Sequence, residues 1–179
     1  MQNGYLGAMA AGPHPLDEID LALLTALTEH PRAGDLELSR ITQVARATVQ
    51  SRLRRLAEAG VIADWDPTVD VAAAGFEVQA YVTLEISQGA LDEVSNDLSA
   101  IPQVLEAYVT TGSFDVLCRV ATRSHPELQA TLVRIDQSSS VVRSTSVMVL
   151  SVLVPPRVLP LLAAADTAPS RRAPAYRKG

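Results

Sequence analysis

The sequence ARATVQSRLRRL, residues 45–56, decides how the fold of the first part of the chain is interpreted. On an α-helix, which turns by about 100° per residue, Val49 and Leu53 fall on one narrow apolar side. The opposite side carries polar side chains, among them Gln50 and Arg54. This pattern predicts an amphipathic helix that packs through its apolar side and exposes a basic side.

Two further helices are predicted before this stretch. Residues 16–29 carry an apolar stripe at helical spacing, and Asp17 suits the N-cap of that helix. Residues 35–42 form a shorter pattern in which Leu38 and Ile41 are expected to face inward. Three helices joined by short turns, with a basic side on the third, predict a helix-turn-helix.

The third helix is predicted to end at Gly60, because glycine accommodates a left-handed C-cap. Val61 to Trp65 then resembles a β-strand and is interpreted as a candidate wing. The N-terminal part is therefore predicted to be a winged helix-turn-helix.

From Phe76 the apolar period changes from 3.6 residues to 2, which is typical of a strand buried on one face. The elements predicted after this strand are a helix (91–101), a strand (104–110), a strand (114–120), a helix capped by the Ser-x-x-Glu sequence 124–127, and a strand (142–153). The resulting order, β-α-β-β-α-β, is the ferredoxin-like unit. We therefore predict an α+β chain whose second domain is an antiparallel sheet with both helices on one face.

The other face of that sheet needs a cover, because Val109 and Leu117 are expected to lie there. A second copy of the same sheet would supply it, which predicts a homodimer.

Composition narrows the function further. The chain has 179 residues and a net charge of −5, yet residues 32–55 hold six arginines against two acids. This confined basic patch favours a local polyanion contact over a generally basic coat. The single cysteine, Cys118, permits no internal disulfide, and neither a signal peptide nor a membrane-spanning run is evident. We expect a cytoplasmic protein without membrane contact.

Five segments are predicted from these patterns. They are a flexible N-terminal tail (1–15), a winged helix-turn-helix domain (16–65), a linker (66–75), a ferredoxin-like domain (76–154) and a flexible C-terminal tail (155–179).

The chain resembles the Lrp/AsnC, or feast/famine, family of bacterial and archaeal transcription regulators. The resemblance is carried by Leu16-Asp17 and Asp20 at the start of the first helix, by Arg32 after it, by VARATVQSRLRRLAEAGVI at 44–62, by Gly75, and by TTGSFD at 110–115. It covers residues 16–153 and implies a RAM-type second domain.

Three residues depart from the pattern of that family. Ala45 stands where a serine N-cap is usual, Gln43 where glycine is frequent, and Gly34 where Ser or Thr caps the second helix. A missing side-chain cap costs about 0.5–2 kcal/mol, and less where glycine replaces it.

The resemblance implies binding of double-stranded DNA by a homodimer that assembles further, to a tetramer or octamer. It also implies an amino acid effector bound between dimers, near the hairpin at Thr110 to Asp115. The effector site is predicted from donors and acceptors on this hairpin and on the last strand, namely Thr110, Gly112, Ser113, Asp115 and Thr145. A plain hairpin glycine at Gly112 and a turn-capping role for Asp115 remain open alternatives.

The predicted DNA contacts lie on the polar side of the third helix, and they are Arg46, Ala47, Thr48, Gln50, Ser51, Arg54 and Arg55. Arg46 and Gln50 lie toward the end of the helix that reaches base edges, and the later arginines are expected to meet phosphates. Arg52 falls beside the apolar side and is expected to pair with an acid instead.

Two other classes of function compete with DNA-binding regulation. One is an enzyme similar to the siroheme decarboxylases, but His14, His30 and His125 are not placed to converge, and no metal-ligand spacing or phosphate-binding glycine loop appears. We therefore predict no catalytic residue, metal or cofactor. The other class is a ligand-sensing or oligomerising module that has lost DNA binding, which the altered cap residues keep open.

Overall fold

Two structural units make up residues 14–165, the part of the chain that the computed structural model describes. One unit contains residues 14–66 with 156–165, and the other contains residues 67–155. Most of each predicted tail, residues 1–13 and 166–179, lies outside the described residues.

The first unit begins with the three predicted helices, α1 (Glu18–Glu29), α2 (Asp35–Thr42) and α3 (Arg46–Glu58). Asp17 caps α1 as predicted, because its carboxylate accepts hydrogen bonds from the N–H groups of Ile19 and Asp20. The Asp20 carboxylate accepts the N–H of Asp17 in return, so the two acids complete a capping box.

The core of this unit lies between the three helices and contains Leu23, Leu38 and Val49. Ile41 was expected there, but its side chain is 40% exposed. The inward side of α2 is shared by Leu38 and Ser39, whose hydroxyl donates to the Val44 carbonyl at 2.6 Å. Because Ile41 lies about 200° from Ser39 around the helix, it points outward.

Residues with a left-handed backbone stand before and after α3. Gln43, between α2 and α3, has a left-handed backbone with φ of 56°, the conformation that glycine would adopt more easily. Gly60 is also left-handed, with φ of 70°. The N–H of Gly60 donates to Ala57 and that of Val61 to Leu56, which forms a Schellman cap.

The predicted wing strand at Val61–Trp65 is wrong, since residues 61–62 form a bend and residues 63–65 adopt no regular secondary structure. The N–H groups of Val61 and Ile62 are used by the cap of α3. The N–H groups of Trp65 and Asp66 are used by the Asp64 carboxylate. With these donors engaged locally, no ladder forms.

The second unit is the predicted β-α-β-β-α-β fold. Its elements are β1 (Val78–Ile86), α4 (Leu91–Ser99), β2 (Val104–Val109), β3 (Val116–Thr122), α5 (His125–Asp136) and β4 (Val141–Met148). The strands pair antiparallel in the order β2-β3-β1-β4. Ser124 caps α5 as predicted by accepting the N–H of Glu127.

One face of the sheet packs against both helices. Val82 on β1 and Cys118 on β3 are neighbours in the register and are fully buried with Val94 of α4 and Leu128 of α5. Burial raises the pKa of the Cys118 thiol to about 11. The predicted placement of both helices on one face is confirmed.

The opposite, helix-free face is partly apolar. Leu117 lies there as predicted, in a row that joins Tyr108, Leu117, Thr83 and Thr145 across the four strands. Val109 was placed on this face as well, but it pairs with Val116, whose side chain enters the core. Directly paired residues share a face, so Val109 lies on the helix-covered side and is exposed because β2 ends there.

The end of the chain differs from the prediction. The last strand stops at Met148 rather than at Leu153, and the following apolar residues are exposed, with Leu150 94% accessible. A short helix, α6 (Leu159–Ala164), begins beyond Pro156, where regular structure was not expected. Within residues 14–165, no helix is long and apolar enough to cross a membrane.

Candidate functional site

Helix α3 buries Val49, Leu53 and Leu56 and turns the other side to solvent. All seven predicted DNA contacts lie on this helix. Thr48 is half-buried, and the exposed residues are Arg46, Ala47, Gln50, Ser51, Arg54 and Arg55. Ala47 and Ser51 have small side chains in the middle of the exposed side, so another molecule can approach the backbone of α3 closely there.

The polar side chains of α3 differ in how freely they can reach a partner. Within residues 14–165, Arg46 makes no ion pair or hydrogen bond through its side chain. Arg54 has one weak partner, since its Nε lies 3.8 Å from Glu58 and both side chains are more than 70% exposed. Gln50 is held, because its amide donates to Asp35 of α2 at 2.7 Å.

Two arginines of α3 contact two acids at the start of α1. These four charged residues are Asp17, Asp20, Arg52 and Arg55, and we call them the Asp20 cluster. Arg52 donates to both acids and lies 3.0 Å from Asp20, which confirms the expected pairing of Arg52 with an acid. Arg55 lies 2.7 Å from Asp20. Asp20 is fully buried, whereas the Arg55 side chain is 45% exposed.

The contacts within the Asp20 cluster favour the charged forms of Asp17 and Arg52. Burial works against ionisation of Asp17, but hydrogen bonds from Arg52 and from the Asp20 N–H keep the pKa of Asp17 below its ordinary value. The hydrogen bond to Asp17 likewise raises the pKa of Arg52.

Sequence reasoning did not find the link between Asp20 and Arg55. In the sequence, Asp20 was recognised only as one of the residues that carry the family resemblance. The Asp-x-x-Asp spacing of a capping box was the available signal, because it directs the second carboxylate back toward the N-terminus of its helix.

The predicted effector hairpin joins β2 to β3. Gly112 has a φ of 121°, and apart from its chain neighbours no described atom lies within 4 Å of the position where a side chain would begin. Thr110 closes the hairpin, because its N–H donates to the Asp115 carbonyl and its hydroxyl to the Phe114 carbonyl. The exposed Ser113 lies between Gly112 and Phe114.

Asp115 is bound on one side and open on the other. Its Oδ2 accepts the N–H of Ile86 at 2.8 Å, which extends the contact between the hairpin and β1. Within the described residues, Oδ1 accepts no hydrogen bond. The carboxylate thus has both a structural role and one oxygen left for a ligand.

Thr145 is not brought to the hairpin. Thr145 lies on β4 and pairs with Thr83 of β1. In the sheet, β1 separates β4 from β3, and β3 begins directly after Asp115. Two strand spacings, about 10 Å, therefore lie between Thr145 and the strand that follows the hairpin. Within residues 14–165, no group of three or more His, Cys, Asp or Glu side chains is arranged to hold a metal ion.

Comparison with protein-family models assigns both halves of the chain. Residues 16–63 match a winged helix-turn-helix DNA-binding model, and residues 79–159 match the Lrp/AsnC ligand binding domain.

Curated relatives match this chain over most of their own length. The regulator Rv2324 of Mycobacterium tuberculosis is 34% identical over 78% of this chain and 95% of its own. The regulator FL11 of Pyrococcus horikoshii is 34% identical over 64% of this chain and 76% of its own.

Solved structures share the fold. AsnC of E. coli superposes with a TM-score of 0.76 at 24% identity and covers 82% of this chain and all of its own. The regulator NMB0573 of Neisseria meningitidis, solved as a complex with L-Met, has a TM-score of 0.72 at 21% identity over 78% of this chain and 92% of its own.

The curated relatives are HTH-type transcriptional regulators rather than enzymes, which supports the prediction that this chain is not an enzyme. Together, the matched domains and these relatives show that the chain belongs to the Lrp/AsnC family of transcriptional regulators.

Proposed function

We propose that the chain regulates transcription by binding promoter DNA through α3, with a small-molecule effector modulating the binding. The observation that carries the proposal is the exposed side of α3, where Arg46 has no partner within residues 14–165 and Arg54 has only the distant Glu58. Such cations are available to phosphates, and Gln50 can read a base edge if it leaves Asp35.

The remaining contacts follow from the same side of the helix. Ala47, Thr48 and Ser51 permit close approach, and Arg55 reaches a phosphate from the end nearer the C-terminus of α3. The curated relatives come from bacteria and archaea, in which the chromosome lies in the cytoplasm, so the site of action is cytoplasmic.

For the effector we propose an amino acid, bound near Thr110, Gly112, Ser113 and Asp115, with Thr145 contributed from elsewhere in an assembly. The open Oδ1 of Asp115 suits an ammonium group, and the backbone around Gly112 suits a carboxylate. The complex of the N. meningitidis regulator with L-Met supports this class of ligand.

A homodimer formed through the helix-free face, which assembles further to a tetramer or octamer, is the state we propose. The exposed Tyr81 and Val147, which pair on this face, favour a cover of the same apolar character.

The test is a fluorescence-anisotropy titration of the full chain against the duplex upstream of its own gene, with a random-sequence duplex as competitor. Binding that prefers the upstream duplex and weakens steeply with salt is expected. No binding to either duplex would favour the alternative of a sensing module without DNA binding.

A further inference from the structure

The buried carboxylate of Asp20 connects two helices. It lies at the start of α1, and it accepts hydrogen bonds from Arg52 and Arg55 of α3 and from the N–H of Asp17. The donors to this carboxylate are thus groups of the protein itself, and Asp20 is fully buried.

Arg52 and Arg55 share this acid, but they differ in what remains of each guanidinium. The Arg52 side chain is 14% exposed and is directed to the two acids. Arg55 uses only Nη2, which lies 2.9 Å from Oδ1 and 2.7 Å from Oδ2 of Asp20. Within residues 14–165, its Nε and Nη1 have no acceptor. The Nη2 end of Arg55 is thus held at Asp20, while Nε and Nη1 remain available on a side chain that is 45% exposed.

We propose that Asp20 is a positioning residue for DNA binding, which holds Arg55 so that its free edge binds a backbone phosphate. This proposal rests on the proposed function. A guanidinium presents five N–H donors in a rigid plane, so one edge can bind a carboxylate while another binds a phosphate. Because the side chain is already ordered, less conformational entropy is lost when DNA binds.

The same helix supplies the matched control. Arg54 is the adjacent residue and is also exposed, but its one ion pair within residues 14–165 is with Glu58 at 3.8 Å, which is too weak to fix the guanidinium plane. A lysine keeps the charge and removes the plane. Arg55→Lys therefore tests positioning, and Arg54→Lys tests charge retention at an unfixed site.

The experiment measures the affinity of the full-length variants for a labelled random-sequence duplex across a salt series, with thermal unfolding recorded in parallel. Arg55→Lys is expected to weaken binding about tenfold and to reduce the log–log salt slope by about 0.9, the value for one phosphate contact. Arg54→Lys is expected to weaken binding less than Arg55→Lys does, because lysine keeps the charge and no fixed guanidinium plane is lost at this position.

Equal affinities and slopes for the two lysine variants would overturn the proposal, even if Arg55→Lys melts at a lower temperature, because the cluster would then act on stability alone. Asp20→Asn gives a second test. Weaker binding by the folded variant supports positioning, and stronger binding shows that Asp20 only neutralises Arg55 and overturns it.

If Asp20→Asn does not fold, the lysine pair decides. The proposed function fails separately, if the unaltered protein shows no salt-dependent binding, and the present proposal then falls with it.

Discussion

The Ile86 N–H donates a hydrogen bond of 2.8 Å to the carboxylate of Asp115, and this contact joins the β2–β3 hairpin to the end of β1. The Asp115 N–H donates to the Leu84 carbonyl of the same strand. The side chain thus supplies an acceptor for β1 just before β3 begins, while within residues 14–165 its other oxygen accepts no hydrogen bond.

This contact determines how the effector site must be tested. Asp115→Ala removes both the Ile86 contact and the charge, so it is expected to cost about 1 kcal/mol of stability. Asp115→Asn keeps an acceptor for Ile86 and removes only the charge. We expect Asn to retain the melting temperature but to abolish the shift that an amino acid panel produces in the unaltered protein. A retained response in Asp115→Asn would place the site elsewhere.

The second prediction concerns the cations that we propose to contact DNA. Arg46→Ala and Arg54→Ala are each expected to lower the log–log salt slope of duplex binding by about 0.9, because each removes one phosphate contact at an exposed position. The control is Arg134→Ala, an exposed arginine of α5 whose side chain binds the Ala100 carbonyl. Slopes unchanged in both α3 variants would exclude these two cations from the interface.

A third prediction concerns assembly. Val147 is 63% exposed on the helix-free face, and Val133 is 50% exposed on the helix side of the same unit. A charge buried in an interface without a partner is strongly unfavourable. Val147→Glu is therefore expected to shift the full chain toward monomer in sedimentation velocity, whereas Val133→Glu leaves its oligomeric state unchanged. The reverse result would assign the interface to the helices.

The lowered pKa of Asp17 predicts a pH dependence. Hydrogen bonds from Arg52 and from the Asp20 N–H hold it below the ordinary value of 3.8, so the folded state binds fewer protons than the unfolded state in this range. The resulting stability is present above about pH 4 and is lost as the pH falls through the lowered value. Asp17→Asn keeps a capping oxygen and lacks the charge. Its urea midpoint is expected to fall less steeply with acid than that of the unaltered protein, and parallel acid profiles would contradict this account.

The last prediction concerns the N-cap of α3. Ala45 has a φ of −57° and a ψ of 138° and offers no side-chain acceptor to the first turn. Ala45→Ser is expected to raise the free energy of unfolding by about 1 kcal/mol, because the hydroxyl can accept the N–H of Ala47 or Thr48. Ala47→Ser makes the same substitution inside the helix, where serine is expected to lower stability by a few tenths of a kcal/mol. Equal effects in urea unfolding would show that capping is not the cause.

Much of the fold is readable from local patterns. The 3.6-residue period before Gly60 and the period of 2 after Phe76 predicted both halves, and α2 begins and ends where the sequence indicated. These signals succeed because each depends on residues a few positions apart. The prediction of a wing strand was wrong because the Asp64 carboxylate accepts the N–H groups of Trp65 and Asp66. A pattern of apolar residues alone does not reveal such a polar contact.

The sequence by itself therefore determined the order of the elements, the exposed basic side of α3, the Asp17 cap and the pairing of Arg52 with an acid. Only the tertiary structure decided which acid Arg55 meets, because Asp20 lies 35 residues away and is brought there by packing of α1 on α3. It likewise decided that Thr145 lies apart from the hairpin, since the strand order places β1 between β4 and β3. Contacts of this kind depend on how distant elements pack, and no local period encodes that geometry.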